Sequence, residues 1–166
     1  MKRIHYLALS LSVIVADALT KWIVSTSIEL HEAVPVIPNL FELVHVRNTG
    51  AAFGIGANTE SHAVPFLLNG GALIVFFVVV LYSFRTAVGD RLLQVALHLI
   101  LGGAIGNLLD RFRFGYVVDF LDFFIRDHHW PAFNIADSAI CVGIGLLFLD
   151  MRRKPEEKSV TAADPV

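Results

Sequence analysis

Two aspartates, Asp119 and Asp137, stand where carboxylates are least expected, one just after a long apolar run and one at the start of another. Asp119 lies in Gly115-Tyr116-Val117-Val118-Asp119-Phe120-Leu121-Asp122-Phe123-Phe124, and Asp137 in Phe133-Asn134-Ile135-Ala136-Asp137-Ser138. Two carboxylates that meet in a partly dry site cannot both ionise easily, so they share a proton near neutral pH. One then serves as general base on a water molecule, and its protonated partner polarises a carbonyl. That is the chemistry of an aspartic peptidase, and it requires neither a metal nor a cofactor. A plainer reading of Asp137 remains: Asn134 and Asp137 are spaced i, i+3, which suits a helix cap and an acid complementing the helix dipole. Asp122 and Asp127 read as solvated loop carboxylates.

Other polar pairs interrupt apolar segments. Asp17 and Lys21 are spaced i, i+4 with the acid first, the favourable order on one helix face. They could neutralise each other to help helices pack, or brace an active site. Asn107 and Arg111 share a second i, i+4 face in Gly106-Asn107-Leu108-Leu109-Asp110-Arg111. An Arg at the end of an apolar helix can also be a snorkelling anchor. Competing catalytic signatures are missing. His31-Glu32 is followed by Ala-Val-Pro, so no H-E-x-x-H zinc helix exists, and no G-x-S-x-G elbow occurs. His128-His129 lacks a third ligand at useful spacing and reads as interfacial loop; no metal is expected. Cys141 cannot form an internal disulfide and reads as packing.

The elements that must position these residues are membrane helices. Of 166 residues, 55% are hydrophobic and only 17% charged, against about 25% in soluble domains. Mean hydropathy is +0.66, which excludes a disordered chain, and the charge balance excludes a basic nucleic-acid binder. Four spans of about 20 apolar residues fit, near 7–24, 64–84, 92–110 and 131–149, the first and last admitting charge. The first also imitates a secretory signal peptide, with Lys2-Arg3 before an apolar run and Ala16-Asp17-Ala18 as a cleavage-like site. Lys2, Arg3, Arg85, Arg91, Arg152, Arg153, Lys154 and Lys158 fall on one side, so both termini are expected in the cytoplasm. The long 1–2 and 3–4 connections then face out. Residues 1–151 form one integral-membrane domain, and 152–166 a charged tail expected to be disordered. Between spans one and two, Leu40 to Arg47 is rich in β-formers and ends at Asn48-Thr49-Gly50, a turn pattern, before Ala51-Ala52-Phe53-Gly54-Ile55. The fold expected is all-α, with a small extracytoplasmic β-rich segment between helices 1 and 2. Gly102-x-x-x-Gly106 in span three would let helices pack closely.

Over nearly its whole length the sequence resembles the bacterial lipoprotein signal peptidase (signal peptidase II) family. The resemblance rests on Asp17-Ala-Leu-Thr-Lys21, Asn48-Thr-Gly-Ala-Ala-Phe-Gly54, Gly106-Asn107-Leu-Leu-Asp110-Arg111, Gly115-Tyr-Val-Val-Asp119-Phe120 and Phe133-Asn134-Ile-Ala-Asp137-Ser138, in that order. It implies a four-span aspartic peptidase of the inner membrane that cuts diacylglyceryl-modified prolipoproteins just before the lipidated cysteine. It makes Asp119 and Asp137 the dyad, and Asp17, Lys21, Asn48, Gly50, Asn107, Arg111 and Asn134 supporting or substrate-holding residues. Asp17 and Lys21 then belong to the motif set, which argues against cleavage after span one. The implied partners are the lipidated precursor and membrane lipids, with the enzyme a monomer, no cofactor and no nucleic acid. The segment around Leu40 to Ile55 is expected to cradle substrate, with Asn48 facing the dyad. Rival readings are a small proton- or ion-coupled transporter using the intramembrane acids, and an assembly factor whose charged pairs only lock helices.

Overall fold

The computed structural model describes residues 2–50 and 63–160. Four long helices are present: α1 (Arg3–Ser27), α2 (Ala63–Arg85), α3 (Arg91–Phe114) and α4 (Ile135–Val160). Strands β1 (Ala33–Ile37) and β2 (Phe41–Asn48) follow α1, and β3 (Val117–Ile125) and β4 (His128–His129) follow α3. The four strands form one antiparallel sheet in the order β1-β2-β3-β4. Among the described residues, two helices, Arg3–Ser27 and Arg91–Phe114, are long and apolar enough to cross a membrane by length and hydropathy, and Gly70–Arg85 is a shorter apolar stretch of α2.

Membrane character is written into the inverted pattern of α1. Its interior side carries Tyr6, Ser10, Val13, Asp17, Lys21 and Val24. Ile4, Leu7, Leu11, Val15 and Trp22 lie on the exposed side, each more than half exposed. A helix that hides its ion pair and exposes its aliphatic stripe is built for an apolar solvent. α3 is the central helix and packs against the other three. A Cβ at Gly102 would meet Ser10 O and Val13 Cβ of α1 at 2.8 Å, and one at Gly106 would meet Asp17 Oδ2 at 2.7 Å. The small-xxx-small pair therefore seats α3 on α1, and Gly103 lets the α4 backbone at Ala136 come equally close. Val79, Leu93, Leu97, Ile100 and Leu101 form the α2–α3 core. Val24, Ile28 and Phe120 bind the end of α1 to the sheet.

Three expectations need correction. The sheet is not confined to the connection between helices 1 and 2, because β3, between α3 and α4, is one of its central strands. Its run of Val, Phe, Leu and Ile satisfies strand propensity, and pairing with β2 absorbs its backbone groups. Asp122, read as a solvated loop residue, is a strand residue only 8% exposed. Lastly, α4 continues past Leu149 to Val160, through the start of the segment expected to be disordered. Arg, Lys and Glu propagate a helix readily once one runs into them. Ala51-Ala52-Phe53-Gly54-Ile55 and residues 161–166 lie outside the described residues.

Candidate active site

At the sheet end of the bundle, three asparagines join the two aspartates. Asn48 Nδ2 donates to Asp119 Oδ2 at 2.8 Å, and Asn134 Nδ2 donates to Asp119 Oδ1 at 2.7 Å. Asn107 Nδ2 donates to Asp137 Oδ1 at 2.8 Å. Each amide is held in that sense by a donor on its own carbonyl oxygen. Gly50 N–H donates to Asn48 Oδ1 at 2.9 Å, Asp137 N–H to Asn134 Oδ1 at 3.0 Å, and the Lys21 ammonium to Asn107 Oδ1 at 3.1 Å. An amide has one acceptor end and one donor end, so pinning the oxygen aims the nitrogen at the carboxylate.

Local structure explains how each residue reaches the site. Asn134 precedes the first turn of α4 and accepts the Asp137 N–H, while Asp137 Oδ2 accepts the Asn134 N–H at 3.3 Å. This is a reciprocal capping box, so the plainer cap reading of Asp137 holds alongside its place in the site. A second donor of that helix start with no intrahelical partner, the buried Ala136 N–H, is taken by Asp17 Oδ1 at 2.9 Å. Asp17 thereby fixes the end of α4 that carries Asp137. Gly115, at φ 79°, stops α3 in a left-handed turn and starts the chain into β3, the strand that carries Asp119.

The side of the sheet that Asn48 faces depends on a one-residue bulge. Leu43 lies opposite Leu121 and Val46 opposite Asp119, so three steps along β2 match two along β3. Without that extra residue Asn48 would share the face of Glu42; with it, Asn48 shares the face of Asp119.

Asp17, Lys21, Asn48, Gly50, Asn107, Asn134, Asp119 and Asp137 all enter this network. Arg111 joins at its edge, donating to Gly50 O at 3.3 Å. A cavity of about 200 Å³ is bordered by Asn48, Asn107, Arg111, Asp119 and Asp137, with Val75, Ala104 and Ile140 among its apolar walls. Asp110 belongs here too, 2.8 Å from the Lys21 ammonium through Oδ2, opposite the 2.7 Å pair with Asp17. In the sequence Asp110 stands within the Gly106–Arg111 motif with no role of its own. The available clue was its position three residues after Asn107 on α3.

The two aspartates differ in surroundings. Asp119 is 3% exposed, whereas Asp137 is partly exposed toward the cavity. Burial, reinforced by the neighbouring Asp137 charge, pushes the Asp119 carboxyl up to about 7, against the opposing pull of the Asn48 and Asn134 amides and the Lys21 charge. Near neutral pH the site therefore holds a half-protonated buried acid beside a second carboxyl group.

A family model described as "Signal peptidase (SPase) II" matches residues 9–153. The chain is 54% identical over 138 residues to the lipoprotein signal peptidase of Syntrophotalea carbinolica, covering 82% of this chain and 84% of that one. It is 46% identical over 147 residues to that of Geobacter metallireducens, covering 88% and 89%. A solved structure of a bacterial membrane enzyme superposes with a TM-score of 0.82 at 30% identity, covering 98% of this chain and 94% of that chain.

Proposed function

The chain belongs to the signal peptidase II family, and from that premise we propose that it removes the signal peptide from diacylglyceryl-modified prolipoproteins as an aspartic endopeptidase whose working pair is Asp119 and Asp137. The cut falls just before the lipidated cysteine. The observation that carries the reading is the network of three oriented asparagines, which ties one buried and one cavity-facing carboxyl group to the same cavity.

The difference in burial supports one division of roles. Asp119, able to keep its proton near neutral pH, donates it in a hydrogen bond to the scissile carbonyl oxygen. Asp137 is the general base: it takes a proton from a cavity water as the water oxygen attacks the carbonyl carbon. The tetrahedral intermediate then expels the amine, which receives the proton held by Asp137. Water is consumed, one peptide bond is broken, and the dyad returns to its singly protonated form. The asparagines keep both carboxyl groups aimed throughout, so little reorganisation is needed at the moment of reaction.

All four helices are read as membrane spans, with both termini cytoplasmic and the sheet resting on the outer leaflet, where a lipid-anchored substrate can enter sideways. The segment around Leu40 to Ile55 cradles that substrate, and the enzyme acts as a monomer among lipids without a cofactor. The deciding test is cleavage of a diacylated precursor, compared with an unlipidated one, by purified Asp119→Asn and Asp137→Asn variants. Folded variants that still cleave the lipidated precursor would overturn the assignment.

A further inference from the structure

On the other face of the same sheet, three side chains with metal-ligating atoms converge. Glu42 on β2 lies directly opposite Asp122 on β3, and His129 on β4 pairs with Phe124, two residues further along the same face as Asp122. One donor atom from each of Glu42, Asp122 and His129 lies within 4.8 Å of the other two. Asp122 Oδ2 and His129 Nδ1 are 2.8 Å apart. The His129 ring is stacked on Phe124 with centroids 4.7 Å apart and planes at 13°, which turns its edge toward Asp122.

Two features of this cluster remain unbalanced within the protein. Glu42 and Asp122 are like charges directly opposite on neighbouring strands, an arrangement that destabilises a sheet. Asp122 is only 8% exposed, yet its Oδ1 is buried with no hydrogen-bond partner among the described residues. A carboxylate oxygen in that position costs free energy unless something positive meets it. A cation held between the strands answers both.

We propose that Glu42, Asp122 and His129 form a binding site for a divalent transition metal of the zinc class. One imidazole and two carboxylates make a borderline donor set, which suits Zn²⁺ better than Mg²⁺ or Ca²⁺, whose sites are built from oxygen alone. Ligand atoms around a tetrahedral Zn²⁺ at about 2.1 Å sit about 3.4 Å apart. Glu42 is half-buried and His129 exposed, so both side chains have room to adjust to that spacing, the 2.8 Å Asp122–His129 contact widening as they do. Three ligands leave a fourth position for water. The metal would clamp β2, β3 and β4 at a site distinct from the Asp119–Asp137 pair, on the strand that carries Asp119. His128-His129 thus finds its further ligands across the sheet rather than along the chain.

Titration of untagged, chelator-stripped, detergent-solubilised full-length protein with ZnCl₂, followed by calorimetry and by the thermal midpoint, tests the site. One Zn²⁺ per chain is expected to bind and raise the midpoint, with Mg²⁺ and Ca²⁺ much weaker. His129→Gln should weaken Zn²⁺ at least about tenfold, and its metal-free midpoint, which also registers the lost Asp122–His129 bond, is measured beside it so that the two effects separate. Asp122→Asn should weaken it similarly, and His128→Gln should bind as wild type. Absence of saturable Zn²⁺ binding, or binding that survives His129→Gln unchanged, would overturn the proposal.

Discussion

The bundle buries polar side chains at both ends, and the two sets are wired differently. At the end away from the sheet, Arg3 donates to Ser83 O and Phe84 O, Gln94 Nε2 to Ser83 O and Thr86 O, Tyr6 to Val88 O, and Ser10 to His98 O. Nearly every bond there runs from a side chain to a backbone carbonyl, several of them the open carbonyls at the end of α2. At the sheet end, Asn48, Asn107, Asn134, Lys21, Asp17 and Asp119 bond chiefly to one another's side chains. Bonds to backbone finish a helix and leave nothing over. Bonds between side chains relay orientation from Lys21 and two backbone N–H groups to two carboxyl groups that border a cavity. Buried polarity therefore marks a site only where its hydrogen bonds converge on groups able to react.

That contrast can be broken most severely at the carboxyl groups. Asp119→Asn or Asp137→Asn should lower cleavage of diacylated precursor by about 10³-fold or more, scored by the mobility shift of the product, with the folded fraction unchanged. Lys21→Met comes next. It strands Asp17 and Asp110, both paired to a Lys21 that is 4% exposed, and should cost about 3–5 kcal/mol of stability, read from the denaturation midpoint. Asn48→Ala should reduce turnover by about 10- to 100-fold and also move the pH profile. The Asn48 amide favours the ionised form of Asp119, so its loss raises that carboxyl further above about 7 and shifts the alkaline limb of activity to higher pH. In the wild type the alkaline limb should fall near pH 7. Because folded Asp119 keeps its proton to about 7 while an unfolded aspartate ionises near 3.8, stability should decline as pH rises through that window. The smallest effect belongs to the opposite end: Ser10→Ala should cost about 1 kcal/mol of stability and leave turnover unchanged.

Much of the site was legible in the chain. Asp17 and Lys21 announced a pair by their i, i+4 spacing, and the structure brings them to 2.7 Å. Asn134 and Asp137 announced a cap, and they form one. These are contacts within a single turn of helix, where spacing fixes geometry. The places of Asp110 and Asp122 were not legible for the opposite reason: their partners, Lys21 and the residues of β2 and β4, are distant in sequence. β3 escaped notice because alternation is blurred when both faces of a strand are covered; Val117, Val118, Asp119 and Phe120 are all buried.

Residue types and their order along the chain determined that the protein is apolar enough for a membrane, that its few charges are costly, and which residues carry the family's motifs. Which face each of them occupies was a tertiary decision. One extra residue in β2 turns Asn48 toward Asp119 and leaves Glu42 on the side of Asp122 and His129. Side chains on a strand alternate with a period of two, so a single bulge reverses every assignment beyond it, and the pairing that creates the bulge exists only once β3 has come back from the far side of α3.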